Sequence, residues 1–261
     1  MLERLNSESL PHLPEDVEQP AYDRSRVTPG IVHLGIGAFH RAHQAAVTDQ
    51  AMAASGDLSW GIQGVSLRSP ATRDALAPQD GLYTLALRDA GPDGQPREQL
   101  RVIGSVLRIV VADEDPQAVL ERIAYPQTRI VSLTVTEKGY CHEPSTGYLR
   151  WDHPDIAHDL AHPDRPRSAI GMLVHGLALR RERSLPPVTL LSCDNLHANG
   201  DTLRSLVLAF ALRVDVALTA WIDKNCTFPN SMVDRIVPGT QDDDRERVAG
   251  RLGVEDAWPV V

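Results

Sequence analysis

The feature that most constrains this chain is a glycine turn that directly follows a short apolar run. Residues 31–34 form the run, Gly35 and Gly37 form the turn, and a segment rich in alanine and polar residues follows. This order is typical of a strand that leads into the first turn of a helix, where unpaired N–H groups and partial positive charge can hold a diphosphate. Gly35 would permit the tight turn, and Gly37 would let the backbone approach a ligand without a Cβ in the way.

The glycine motif is incomplete, because His40 stands where a third glycine is usual. Taken alone, the turn is therefore compatible with a dinucleotide site and equally with an ordinary β-to-α connection. The elements further along the chain have to decide between these two interpretations.

Strand-like and helix-like segments alternate along the sequence. Short apolar or β-branched runs predict strands at residues 31–34, 60–66, 130–135 and 188–192. Ser69 and Ser168 are predicted helix N-caps, and one apolar face predicts a further helix over residues 203–214. Residues 82–87 and 100–111 flank a turn-rich stretch and are predicted to pair as an antiparallel insertion. The alternation predicts a Rossmann-like, doubly wound α/β fold with a mostly parallel sheet.

Composition and charge limit the classes of partner and the compartment. The net charge of −9 argues against a nucleic-acid-binding protein, whose surface must be basic. Three widely spaced cysteines form no C-x-x-C pair, and their odd number suits a reducing compartment. No signal peptide is recognisable, and the best membrane candidate, residues 206–220, is interrupted by Arg213 and Asp215. We expect a cytoplasmic protein without nucleic-acid or membrane partners, with a lead-in arm at residues 1–29 and one NAD(P)-binding domain at residues 30–261.

Ligands of parallel sheets bind beyond the carboxyl ends of the strands, so the residues after each strand are candidates for chemistry. After the second predicted strand, NAD enzymes usually carry an acid that binds the adenosine ribose. Here no acid occurs before Asp74, and Arg68, Ser69 or Arg73 could meet the ribose or a 2′-phosphate. The alternative is a solvated helix start. NAD is the expected cofactor, with NADP as the alternative.

Two further strand ends carry polar residues. Residues 134–141, Thr-Val-Thr-Glu-Lys-Gly-Tyr-Cys, fit a loop that passes near the nicotinamide, and a solvated glycine turn is the alternative. After the next strand, Asn195 can both donate and accept hydrogen bonds, so its amide could face an oxygen that becomes an alkoxide. Asp194, Asn195 and Asn199 could instead only cap the following helix, and this is the role expected for Asn199.

Four separated segments resemble one family, the polyol-specific long-chain dehydrogenases, which includes mannitol 2-dehydrogenase and fructuronate reductase. The segments begin at Phe39, Ser132, Leu191 and Phe228 and read FHRAHQ, SLTVTEKGYC, LSCDNLHANG and FPNSMVDRIVP. The resemblance implies a dinucleotide-binding fold and hydride transfer that needs no zinc. Together with the strand ends, it predicts that the cofactor contacts Gly35, Ile36, Gly37, Ala38, Phe39, Arg68, Thr134 and Thr136.

The resemblance also implies roles around the substrate. It assigns Asn195 to substrate and oxyanion binding and Asp234 to the substrate pocket, with Arg235 either as its ion-pair partner or as part of a plain surface pair. A cation at Lys138 would suit a substrate carboxylate, which uronates have and polyols lack. We therefore favour an NAD(P)-dependent dehydrogenase that interconverts D-fructuronate and D-mannonate. A mannitol 2-dehydrogenase or related polyol dehydrogenase is the alternative, and a non-catalytic dinucleotide-binding module is the alternative from another class.

Members of the family are longer than this chain. Their second, helical domain carries a lysine general base in a motif close to K-x-x-x-x-N-x-x-H, which this sequence does not contain. We therefore interpret the chain as the N-terminal cofactor domain, from a truncated product or an incompletely predicted gene, and as a monomer or dimer. His40 with His43, and His158 with His162, could each share a helix face, but nothing completes a ligand set and no metal site is expected.

Overall fold

The central sheet of the molecule is parallel. The computed structural model describes residues 2–90, 93–233 and 236–261. In chain order its strands are Pro29–Leu34 (β1), Gly61–Ser66 (β2), Tyr83–Ala90 (β3), Pro96–Ile103 (β4), Val106–Val111 (β5), Ile130–Leu133 (β6) and Thr189–Ser192 (β7). Five of them form one sheet in the order β5-β2-β1-β6-β7, in which every neighbouring pair is parallel. The prediction of a Rossmann-like sheet is confirmed.

The helices cover both faces of this sheet. They are Ala38–Ala42 (α1), Gln44–Ser55 (α2), Ala71–Leu76 (α3), Pro116–Ile123 (α4), Thr136–Gly139 (α5), Pro154–Ala161 (α6), Ala169–Glu182 (α7), Asn199–Val214 (α8), Val216–Asn225 (α9) and Asp242–Leu252 (α10). Short 3₁₀ helices lie at Leu10–His12, Arg24–Arg26 and Ala77–Gln79. Helices α4, α7 and α8 pack together on one face, while α3 packs against β5 on the other.

Local sequence determines where several helices begin. Ser168 caps α7 as predicted, since its hydroxyl oxygen accepts a hydrogen bond from Gly171 N at 2.9 Å. Helix α3 starts one residue later than predicted, with Pro70 at the N-cap, although Ser69 Oγ still accepts from Ala71 N at 3.3 Å. Arg180, near the end of α7, is fully buried and donates to the carbonyls of neighbouring loops instead of facing solvent.

The predicted antiparallel pair is only half correct. Strands β3 and β4 do pair antiparallel, but the single strand expected over residues 100–111 is wrong. The chain turns at Gly104 and Ser105, and β5 then joins the main sheet parallel to β2. The turn is fixed by buried polar contacts, because Gly104 N donates to Asp49 Oδ1 at 2.9 Å and Ser105 Oγ donates to Ala45 O at 2.8 Å.

The first 29 residues pack against the rest of the protein. Leu5, Leu13 and Val17 are buried in a cluster that also contains apolar residues of β3, β4 and α10. Asp49 on α2 accepts a hydrogen bond from Tyr22 in this segment at 2.5 Å. These contacts place the arm over the antiparallel pair, away from the carboxyl ends of the parallel strands.

The three cysteines lie in the packed interior of the protein. All three cysteines are unpaired and buried, and burial raises the pKa of Cys141 to about 11 and that of Cys193 to about 12. Buried thiols with raised pKa values are poor nucleophiles.

Among the described residues, no helix combines the length and the apolar character that crossing a membrane requires.

Candidate functional site

The glycine turn leaves β1 in a conformation that only glycine adopts readily. Gly35 has φ +93°, and a Cβ at this position would overlap the carbonyl oxygen of Thr134 on the neighbouring strand end. Both Gly35 N and Ile36 N donate to Val65 O, at 2.8 and 3.2 Å, and Gly37 N donates to Gly35 O at 2.7 Å. The amides of the turn therefore hold the turn itself against β2.

The surface directly beyond the turn is open. Gly37 is exposed, and a Cβ built on it would have only Gly35 O as a neighbour, at 3.9 Å. The N–H groups of Ala38 and Phe39, in the first turn of α1, have no acceptor among the described residues. Ile36 points the other way and is buried in the core. The donors available to an anion are thus the first helical amides rather than those of the turn.

Two histidines stack beneath the turn, and one of them, His40, stands where a third glycine is usual. His33 on β1 stacks on His40 of α1 with ring centroids 3.4 Å apart. His33 Nδ1 lies 2.8 Å from Ser132 Oγ, and its Nε2 lies 2.9 Å from Thr134 Oγ1. Burial lowers the pKa of His33 to about 3 and holds the pKa of His40 well below its usual range. Both rings are therefore neutral at physiological pH and act as packing between strand and helix.

Two arginines follow the end of β2, and they differ in how they are paired. The Arg68 side chain is 83% exposed, and its one ion pair within the described ranges is with Asp155 of α6, at 3.7 Å. Arg73 is held by carboxylates, pairing with both Asp74 and Glu114. Sequence reasoning found no acid in the β2 loop itself and missed Asp155, because that carboxylate comes from a helix about ninety residues further along.

The ends of β6 and β7 are joined by one buried carboxylate. Asp194 accepts hydrogen bonds from Val135 N at 3.0 Å, from Thr136 N at 2.9 Å and from the Tyr140 hydroxyl at 2.8 Å. Thr134, predicted to contact the cofactor, donates from Oγ1 to Gly35 O at 2.8 Å. The three strand ends β1, β6 and β7 are therefore linked side by side.

Two predicted substrate residues are exposed at this edge. Asn195 follows Asp194, and its side chain makes no hydrogen bond to another described residue. Lys138 on α5 is also exposed and forms no ion pair within the described ranges. Asp234 and Arg235 lie outside the described residues, so their predicted roles stay predictions.

The prediction that Asn199 caps the next helix is wrong. Ala198 occupies the N-cap of α8, while Asn199 Nδ2 donates to Asp194 O and to Ser231 O, both at 3.0 Å. Ser231 Oγ donates in turn to Ser192 O at 2.5 Å. Asn199 and Ser231 thus fasten the segment after residue 228 to the end of β7, a pairing that no local sequence signal announces.

The histidine spacings do not assemble a metal site in the part of the chain that the structure describes. His158 and His162 stack with centroids 4.4 Å apart, and their Nδ1 atoms lie near Asp159 Oδ1 and His158 O. No group of three histidine, cysteine, aspartate or glutamate side chains in the described residues could hold a metal ion.

The chain is similar to known dehydrogenases along its length. Residues 29–261 match the family model of the mannitol dehydrogenase Rossmann domain. A mannitol 2-dehydrogenase of Phaeosphaeria nodorum is 45% identical over 260 residues, which cover 99% of this chain and 45% of that relative.

Two solved structures share the fold. The Pseudomonas fluorescens mannitol 2-dehydrogenase, solved as a ternary complex with NAD and D-mannitol, has a TM-score of 0.93 and 43% identity, covering 99% of this chain and 52% of that one. A D-sorbitol dehydrogenase in substrate-free form has a TM-score of 0.90 and 36% identity, covering 100% of this chain and 53% of that one. The chain thus spans about half the length of the relatives it matches.

Proposed function

Since the chain belongs to the mannitol dehydrogenase family, we propose that it binds NAD and forms the cofactor half of a polyol dehydrogenase. The observation that carries this proposal is the open surface above Gly37, bordered by the amides of Ala38 and Phe39, which have no acceptor within the described part of the chain. Relatives named as mannitol 2-dehydrogenases support a polyol substrate better than the uronate favoured from the sequence.

The residues at the strand ends fit a dinucleotide laid across the sheet. With the diphosphate at the end of β1, the adenosine half would lie over β2 and β5 and the nicotinamide half over β6 and β7. Ala38 and Phe39 would donate to the diphosphate, while Arg68 and Asp155 border the ribose. Thr134 and Thr136 belong to the nicotinamide side.

The proposed chemistry is the interconversion of a secondary alcohol and a ketone. A nicotinamide held over β6 and β7 would accept the hydride of the alcohol carbon, or donate a hydride to the ketone in the reverse direction. Asn195, exposed at the end of β7, would donate its amide N–H to the substrate oxygen and stabilise charge that develops there. Asp234 would line the same pocket, and the proton would pass through a lysine of the family that this sequence does not contain.

Direct titration tests the cofactor proposal. We expect NADH to bind saturably, observed by quenching of tryptophan fluorescence or by NADH fluorescence. Absence of saturable binding at millimolar NADH, in well-folded protein, would refute it. NADH binding without polyol turnover, in a longer protein that carries the second half found in relatives, would support the non-catalytic module instead.

Cofactor selectivity should depend on Arg68. NADH is expected to bind more tightly than NADPH, and Arg68→Ala should weaken NADPH binding by roughly tenfold while leaving NADH within about twofold. The reason is that the exposed guanidinium can reach a 2′-phosphate and is weakly held by Asp155. Arg73→Ala is the matched control, because Glu114 and Asp74 already engage Arg73. A strong NADPH preference in the unmodified protein would contradict the choice of NAD.

A uronate is a second candidate substrate, because Lys138 is an exposed cation on α5. Helix α5 follows β6, on the side of the sheet where the nicotinamide would bind. If a substrate carboxylate binds there, then in a longer protein that carries the second half found in relatives Lys138→Met should raise KM for D-mannonate by about tenfold or more and leave KM for D-mannitol within about twofold. Lys224→Met, which removes the other lysine of the chain from α9, is the control. Equal effects of Lys138→Met on the two KM values would refute the hypothesis that Lys138 binds a substrate carboxylate.

A further inference from the structure

The loops that follow β6 and β7 each contain a residue in a strained backbone conformation. Thr136 has φ +62° and Ala198 has φ +45°, in the left-handed region that favours glycine. Thr136 is the more unusual of the two because its β-branched side chain is poorly tolerated there. Such conformations persist only where the surroundings determine them, and they cluster at functional sites.

The Asp194 carboxylate supplies the restraint on Thr136. It is 9% exposed, and its two oxygens divide the donors between them. Oδ2 accepts from Val135 N and from the Tyr140 hydroxyl, and Oδ1 accepts from Thr136 N. Two successive amides directed at one carboxylate define the conformation of the turn, since hydrogen bonds to an ionised acceptor are about twice as strong as neutral ones.

The turn at Thr136 lies on the β6 and β7 side of β1 in the central sheet. Strands β6 and β7 stand on the opposite side of β1 from β2 and β5, so the turn faces the nicotinamide half of a dinucleotide whose diphosphate sits at β1. Thr136 is exposed there, and Asn195 immediately follows Asp194 in the sequence. In the same arrangement the adenosine half would lie over β2 and β5, on the other side of β1 from this turn.

We propose that Asp194 is a positioning residue whose carboxylate holds the turn at Thr136 in the left-handed conformation that shapes the nicotinamide half of the cofactor site. This inference rests on the proposed NAD-binding function. Asp194 acts through the backbone of Val135 and Thr136 and does not itself touch the cofactor. Its effect should therefore fall on one half of the dinucleotide.

Comparison of NADH with ADP-ribose, which lacks the nicotinamide, separates this role from a general structural one. Asp194→Asn keeps the side-chain size but replaces one of the two accepting oxygens by an NH2 donor, so one of the two backbone amides loses its acceptor and faces a donor instead. We expect the Kd for NADH to rise about tenfold and that for ADP-ribose to stay within about twofold. Tyr140→Phe, which keeps both amide bonds, should raise the NADH Kd only about twofold to threefold.

A second substitution provides a rescue. Glycine adopts positive φ without strain, so Thr136→Gly added to Asp194→Asn should restore part of the lost NADH affinity. Asp159→Asn is the matched control. Asp159 is also a buried carboxylate that accepts from two successive amides, Arg167 N and Ser168 N, and its replacement should leave the ratio of the two Kd values unchanged.

The outcomes distinguish the inference from the function on which it rests. Equal weakening of NADH and ADP-ribose by Asp194→Asn, or no weakening of either, would overturn the positioning role while NAD binding stood. A lack of rescue by Thr136→Gly would also count against it. If the unmodified protein failed to bind NADH, the proposed function would fall and this inference with it.

Discussion

Replacing Gly37 with alanine is expected to abolish most NADH binding while leaving the folded protein as stable as before. A Cβ at Gly37 would meet only Gly35 O, at 3.9 Å, and Gly37 has φ −96° and ψ −172°, values that alanine adopts easily. The new methyl group would instead project into the space proposed for the diphosphate. We expect the Kd for NADH to rise by at least about tenfold, or about 1.4 kcal/mol, and the urea midpoint to stay constant or rise slightly.

Two other glycines give the controls for this prediction. Gly35→Ala should destabilise the fold itself, by on the order of 1–3 kcal/mol from the backbone alone, because its φ is +93° and a Cβ would overlap Thr134 O. Gly250→Ala, in α10 with open space around the added Cβ, should leave NADH binding unchanged and stabilise the fold by up to about 1 kcal/mol, because alanine favours the helix. Unchanged NADH affinity in Gly37→Ala would show that no ligand approaches the turn.

The layout of the sheet could be predicted from sequence because each buried strand is a short apolar run with a turn signal at its end. Strands β1, β2, β6 and β7 were all found within two residues of their observed limits. The division between β4 and β5 was missed, since residues 100–111 are rich in β-branched and apolar residues on both sides of Gly104 and Ser105 and were interpreted as one strand. What divides them is a tertiary contact, the hydrogen bond from Gly104 N to Asp49, whose partners are 55 residues apart.

Prediction of the candidate site from sequence has the same limit for individual side chains. Sequence motifs locate residues at the ends of strands, and the structure does place Thr134, Thr136, Lys138 and Asn195 at one edge of the sheet. Sequence motifs do not reveal which polar groups form hydrogen bonds within the fold and are therefore unavailable to a ligand. The Gly35 and Ile36 amides bond to Val65 O, and Asp194 restrains α5 rather than capping α8. Both contacts join segments that are distant in the chain.

The largest stability loss from a single side chain is expected at Asp49. This residue of α2 is fully buried and accepts three hydrogen bonds, from Tyr22 Oη at 2.5 Å, Arg101 Nη2 at 2.7 Å and Gly104 N at 2.9 Å. Asp49→Ala would remove the close partner of the buried Arg101 guanidinium, whose other carboxylate, Glu18, lies 4.0 Å away, and it would take this acceptor from two further donors. Breaking a buried ion pair in this way costs about 3–5 kcal/mol, measurable as a lower urea midpoint.

Exposure, not the number of hydrogen bonds, should determine the size of this effect. Asp57 also accepts three hydrogen bonds, from Ser59 N, Ser59 Oγ and Trp60 Nε1, but it lies at the surface, where water replaces lost partners. Asp57→Ala is therefore expected to cost no more than about 1 kcal/mol. Similar losses for Asp49→Ala and Asp57→Ala would contradict this explanation. Because Asp49 joins the arm, α2 and the β4–β5 turn, its replacement should also expose the arm to limited proteolysis before the central sheet unfolds.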